Sequence, residues 1–382
     1  MLKIKIKQIF YLVFRLFSMT VLLVSNTMAE EASLKWSGFA TVAATYMNEE
    51  DTIYAGHIDD GFSFSDTRLG LNVSSKIQND LFLAGQILMA GTEAEFNAHM
   101  DWLFVRYIAT QNTSILFGKM KYPNLLFSEV YDVGVLYPWE RVPQEVYLLR
   151  SPAGSNALYE SIEGVSVLYS KGIGDEDTEI SLQGYFGAGG MEVGTVDEMF
   201  GMVASLSDEW YEFKVGYNSG VFDPGAGGHG GEEEEEGFEL AEFDGAKPDI
   251  GTLNLSASIE LGSWIGLTEW TKTEFDGFDD IETETRYLTL GHNINSNWLI
   301  HVTAASFEQQ TGRTQDSISL GFRRKINDSA VIKLGFSLVD ATAPHEEEEE
   351  EGGDEHDSNI FGFIEGNVDN IKVISIAVEF VF

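Results

Sequence analysis

The chain has 382 residues, with 62 acidic against 23 basic side chains, 39 glycines and no cysteine. A net charge of −39 excludes the basic footprint that a nucleic-acid partner requires. The missing cysteines exclude disulfide scaffolds, thiol nucleophiles and thiolate metal sites, and a 12% aromatic content is too high for a disordered acidic chain.

Residues 1–29 carry Lys3, Lys5, Lys7 and Arg15 and no acid, then an apolar run over 16–24 and the small-residue site Thr27-Met28-Ala29. That layout predicts a secretory signal peptide cleaved before Glu30, leaving 30–382 as the mature chain. A single membrane anchor is the alternative, but the run is short for a span and ends at a processable alanine. No later segment approaches 18 consecutive apolar residues, so no transmembrane helix is expected. Export without cysteine fits a bacterial envelope protein.

From Leu34 onward the pattern has period 2. Leu253, Leu255, Ala257, Ile259 and Leu261 alternate with Asn254, Ser256, Ser258 and Glu260, and Phe382, Phe380, Val378, Ile376 and Ile374 alternate with Val381, Glu379, Ala377 and Ser375. Alternation of this kind is the strand signature, and segments of about ten residues with one apolar face are what a tilted strand needs to cross a bilayer. In chain order the segments are 34–48, 62–76, 81–89, 99–109, 113–120, 161–171, 177–186, 198–206, 210–218, 251–261, 264–274, 282–294, 298–309, 314–326, 330–341 and 371–382, sixteen in all. Short Asn/Asp/Gly/Ser turns alternate with longer loops, the plan of an all-β transmembrane antiparallel barrel with both termini on the short-turn, periplasmic rim. Trp210, Trp264 and Trp298 each follow a short turn and Trp36 opens the first segment, which places four tryptophans in one rim belt. A soluble β protein with core aromatics is the competing reading, but it does not place Trp at the same phase of successive hairpins.

Three features carry a resemblance to the Gram-negative outer-membrane porins. Trp36-Ser37-Gly38-Phe39-Ala40-Thr41 is similar to the first strand of many porins, the chain ends in Phe382 after alternating apolar residues, and a long segment, 121–159, lies where porins carry the third loop. The stretch from Tyr137-Pro138-Trp139 to Tyr147 resembles marine-type porins, and the Pro-Glu-Phe-Gly-Gly stretch of enterobacterial general porins is absent. The resemblance implies a barrel of about sixteen strands, a third loop folded into the lumen and a homotrimer. It also implies assembly through machinery that reads Phe382, contact with outer-membrane lipid and lipopolysaccharide, and passive diffusion of small hydrophilic solutes. No catalysis and no required cofactor follow from it.

Alternation assigns Lys35, Arg68, Lys76, Arg106, Lys214, Arg323 and Lys333, with Glu179, Glu212, Glu260 and Glu379, to the lumen, because a charge facing lipid costs about 2–4 kcal/mol at the midplane. By resemblance Arg68 and Arg106 match the basic wall of porins. Glu129, Asp132, Glu140 and Glu145 on an inward loop would oppose that wall and set a transverse field; on an outward loop they would be surface charges. Two further loops, 219–249 and 342–359, are strongly acidic and carry His229, Glu232, Glu233, His345, Glu346 and His356. These groups suit weakly bound Ca²⁺ or Zn²⁺ in a metal-capturing channel. The blander reading is a solvated acidic loop with loose divalent bridges to lipopolysaccharide, since no fixed ligand spacing is present. An outer-membrane lipase, for which His292 and Ser296 are the faint candidates, and a plugged receptor are the other rivals. Acids at the mouth and bases on the wall leave cation and anion preference opposed.

Overall fold

The computed structural model describes residues 34–48, 61–91, 96–147, 161–174, 178–191, 194–223, 247–276, 281–310, 312–342 and 368–382. The expected signal peptide lies outside them. Their strands are β1 (Leu34–Met47), β2 (Gly61–Ser63), β3 (Arg68–Gln78), β4 (Leu81–Gly91), β5 (Phe96–Thr110), β6 (Thr113–Lys121), β7 (Ser161–Ile173), β8 (Thr178–Met191) and β9 (Gly194–Asp208). They continue with β10 (Tyr211–Asp223), β11 (Asp249–Leu261), β12 (Trp264–Asp276), β13 (Ile281–Asn295), β14 (Trp298–Gln309), β15 (Thr314–Asn327), β16 (Ala330–Thr342) and β17 (Val368–Val381). β2 and β3 both pair antiparallel with β1, each strand from β3 on pairs antiparallel with the next, and β1 pairs with β17 from Phe39↔Val381 to Met47↔Val373, so the sheet closes. β2 and β3 lie end to end along β1, separated by a turn at Phe64–Thr67. They form one stave, and among the described residues the barrel therefore has sixteen.

The alternation read from the sequence is realised with its polarity inverted relative to a soluble protein. On β16 and β17, Leu334, Phe336, Leu338, Ile374, Ile376 and Val378 are exposed on the outside, while Lys333 and Glu379 between them are each 1% exposed on the inside. Trp36, Trp210, Trp264 and Trp298 are all exposed at the short-turn rim. A continuous apolar outer band of this extent has no place on a monomeric soluble protein and is the surface a bilayer covers.

β8 and β9 reach toward one another as far as Met191 and Gly194, beyond the expected ends at 186 and 198. Gly187, Gly189 and Gly190 carry no side chain to show alternation, and a bulge between Gly187 and Gly189 shifts the phase. β10 likewise runs to Asp223 and β11 starts at Asp249, so the described strands take both ends of the 219–249 segment. Residues 224–246 and 343–367 lie outside the described residues.

The seam between the chain ends depends on a small residue. Gly38 and Phe382 exchange backbone hydrogen bonds of 2.8 and 2.9 Å, and the Phe382 ring lies over Gly38, where a Cβ would sit 2.5 Å from Cζ and 2.7 Å from the Gly70 carbonyl oxygen. A Gly38→Leu variant is expected to lose about 1–3 kcal/mol through overpacking. The check is the temperature at which the folded barrel converts to the slower-migrating unfolded band on gels, which should fall.

Candidate functional site

The hydrophobic core of this protein is inside the barrel, and one loop supplies most of its largest cluster. β6 ends at Lys121, Pro123 cannot extend the ladder, and the chain turns back into the lumen through two short 3₁₀ turns, Ser128–Val130 and Gly134–Leu136. Leu125, Tyr131, Tyr137, Trp139, Val142, Val146 and Tyr147 of this loop pack with inward Leu267, Tyr287 and Ala305 of β12–β14. Trp139 is at the centre, its ring 5.5 Å from Phe127 and 5.4 Å from Tyr287, with Nε1 donating to Thr303 Oγ1 at 2.8 Å.

Polar anchors tie the loop to strands around the barrel. At its start, Tyr185 donates to Asn124 Oδ1 at 2.7 Å, and Asn124 and Tyr122 donate to Asn218 Oδ1 at 3.0 and 2.5 Å. The Glu269 carboxylate on β12 accepts from the Leu126 amide at 2.8 Å, Ser256 Oγ at 2.9 Å, the Tyr287 hydroxyl at 2.9 Å and the Tyr147 hydroxyl. Burial, then the Glu269 charge, pushes the Tyr147 phenol well above its ordinary pKa, so it stays a donor. On β16, Lys333 Nζ donates to the carbonyls of Gly134 and Trp139, both at 2.6 Å, and pairs with Glu379 at 2.7 Å. Arg323 donates to the Val135 carbonyl at 2.9 Å and Lys214 to that of Leu125 at 3.1 Å.

Opposite these, Asp132 is buried between Arg68 at 3.3 Å and Lys121 at 2.9 Å. Lys121 also pairs with Asp101 at 2.7 Å, and Arg141 pairs with Asp66. Arg68, Lys214, Arg323 and Lys333 thus point inward and hold the loop. Arg106 points inward lower down and, among the described residues, meets only Ser114 Oγ, at 2.9 and 3.1 Å, while Lys35 stands inward near the short-turn rim.

The structure divides the loop acids. Glu129 is exposed to the lumen. Glu145 is buried, accepts from Gln315 at 3.1 Å and has its pKa raised by burial. Glu140 lies so close to β16 that a Cβ on Gly335 would collide with its carboxylate, and burial raises its pKa to about 6. His229, Glu232, Glu233, His345, Glu346 and His356 lie outside the described residues. Sequence reasoning missed Glu269, although its alternation with outward Thr268 and Trp270 places it inside. It also missed Asp101, whose inward direction comes from a bulge in the β4–β5 ladder between Gln86 and Ile87.

The sequence matches no family model and no curated protein. The barrel is similar to solved outer-membrane proteins at low identity. OmpT of Vibrio cholerae, expressed in the outer membrane, gives a TM-score of 0.57 at 11% identity over 93% of this chain and 99% of that one. The anion-selective porin from Comamonas acidovorans gives 0.56 at 14%, covering 92% and 100%. The outer membrane channel DcaP of Acinetobacter baumannii gives 0.58 at 10%, covering 93% and 99%. The fold is that of the outer-membrane porins.

Two outcomes follow from the anchors. Glu269→Ala leaves buried donors unpaired at about 1–3 kcal/mol each, so the unfolding temperature of the barrel should drop clearly and the current fluctuate as the loop loosens. Glu140 binds its proton more tightly folded than unfolded, so its contribution to stability falls as pH rises from about 4.5 to 6 and is level above; the 4.5-to-6 shift corresponds to roughly 2 kcal/mol. A pH series of unfolding temperatures should show a fall in the wild type and a shallower one in Glu140→Gln, since buried Glu145 contributes in the same direction.

Proposed function

We propose that the chain is an outer-membrane porin, a water-filled channel for passive diffusion of small hydrophilic solutes and ions. The observation that carries this reading is the pairing of an apolar outer band with an inner face of Lys, Arg, Glu, Thr and Asn side chains, crossed by one anchored loop. A sheet without edges satisfies its backbone in hydrocarbon, so such a surface is stable in a bilayer. The short-turn rim with its tryptophans faces the periplasm, and the opposite rim faces outward. Lys35 and Arg106, without an acidic partner among the described residues, and the exposed Glu129 line the path, while Arg68, Asp132, Glu140, Glu145, Arg323 and Lys333 set the position of the constriction. The chain assembles as a homotrimer in this reading, supported by the trimer form of Vibrio cholerae OmpT. Export by residues 1–29 and recognition of Phe382 during assembly complete it. Solute transfer needs no reaction and no cofactor.

Purified protein in planar bilayers should give discrete conductance steps, and liposomes carrying it should swell in small sugars. Removing 125–135 should raise the step size, because the loop occupies the lumen. Absence of both conductance and swelling from correctly folded protein would overturn the reading.

A further inference from the structure

The loop leaves one part of the inner wall uncovered, the short-turn half of β4–β7, and that part is not polar. Phe82 on β4, Trp102 and Phe104 on β5 and Leu116 on β6 point into the lumen. Phe82 is opposite Arg106 of β5 on one side and Lys76 of β3 on the other, and Ala84 is opposite Phe104, in phase with inward Ala90 higher on β4, which is opposite Arg68 of β3. The bulge that turns Asp101 inward keeps Trp102 on the same face, and the Trp102 and Phe104 rings stack at 5.3 Å and 27°. These rings are half-buried and belong to no buried cluster; among the described residues, Trp102 and Phe104 make a ring contact only with one another.

Elsewhere in the lumen inward apolar groups are covered: Leu267, Tyr287 and Ala305 lie under the loop. Here the rings face open space, at about 25 cal/mol for each Å² of apolar surface left in water. Two cations flank them. Among the described residues, exposed Arg106 is bonded only to Ser114, and exposed Lys76 only to Asn79 at 3.1 Å. The neighbouring acid, Asp101, is already held by Lys121 at 2.7 Å and Gln86 at 2.5 Å.

We propose that Phe82, Trp102, Phe104, Lys76 and Arg106 form a binding subsite for small aromatic carboxylates, on the periplasmic side of the loop. The ring of the solute stacks on Trp102 and Phe104, an arrangement favoured by about 0.5–1.5 kcal/mol beyond area burial. Its carboxylate meets the guanidinium of Arg106, which can donate two parallel hydrogen bonds to it, and the ammonium of Lys76 adds attraction. A sugar would also stack, but it needs acceptors for its hydroxyls, and this wall offers cations. The subsite rests on the porin reading for its role in permeation and stands without it as a binding site.

The test uses the full-length protein in planar bilayers with benzoate, acetate and glucose added in turn. Benzoate should reduce or interrupt the potassium chloride current at concentrations where acetate and glucose do not. Arg106→Gln and Trp102→Ala should each raise the half-blocking benzoate concentration about ten-fold relative to acetate. Phe104→Leu, which keeps an apolar side chain, should weaken the block less, and it serves if Trp102→Ala fails the heat-shift test of folding. Equal effects of benzoate and acetate, or an unchanged benzoate response in folded variants, overturn the subsite. If no current appears at all, the porin reading falls. Benzoate titration of the detergent-folded protein, followed by the difference in tryptophan fluorescence between wild type and Trp102→Phe, then decides the subsite alone.

Discussion

Closure of the sheet between β1 and β17 is the constraint from which the rest follows. A closed ladder leaves no strand edge, so the backbone is satisfied without water, and the strict period of two sends every second side chain to one of two separate compartments. That division lets Leu334 and Ile376 be exposed while Lys333 and Glu379, one residue and three residues away in sequence, are enclosed. The compactness of Gly38 under Phe382 matters because the last strand has to return to the first at the correct register. A slip by one residue would exchange inside and outside for the whole barrel.

Inside that cylinder the structural problem is the opposite of a soluble protein's. The wall cannot pack on itself across the lumen, so the aromatic residues of 122–147 supply the filling, and buried ionic groups fix where it lies. Lys333 illustrates why these charges are tolerated. Its ammonium has one carboxylate and two carbonyls within 2.7 Å, so little of its hydration is left unreplaced. Glu269 solves the same problem with four donors, two from the loop and one each from β11 and β13. Removing either group would leave its partners buried and unpaired, which makes them positioning residues for the loop.

This use of charge has an electrostatic consequence. Arg68 and Asp132 neutralise one another, and Lys333 and Glu379 do the same, so the strong pairs contribute structure more than field. The field along the path is left to groups without opposite partners among the described residues, chiefly Lys35, Lys76 and Arg106 on β1, β3 and β5. Glu179 and Glu260 stand on the facing strands β8 and β11. The lumen is therefore divided twice: by loop contact into a covered and an uncovered wall, and by charge into a basic and an acidic one. The uncovered wall and the basic wall overlap at Phe82, where the proposed subsite lies.

The sequence by itself determined the strand count, the alternation of short and long connections, the tryptophan rim and the inward direction of Arg68, Lys214, Arg323, Lys333 and Glu379. All of these are local, since period 2 and turn chemistry are properties of neighbouring residues. Only the tertiary structure decided which of the charges are free. Asp132 and Glu145 read as open loop acids, yet both are buried, because the loop's path through the lumen is set by packing of Trp139 and Tyr147 against strands more than a hundred residues away. Trp102 joins the inner wall beside Asp101 through a one-residue bulge that leaves no mark in composition. Periodicity specifies the face a side chain takes; what it meets there depends on contacts that close only when the whole cylinder does.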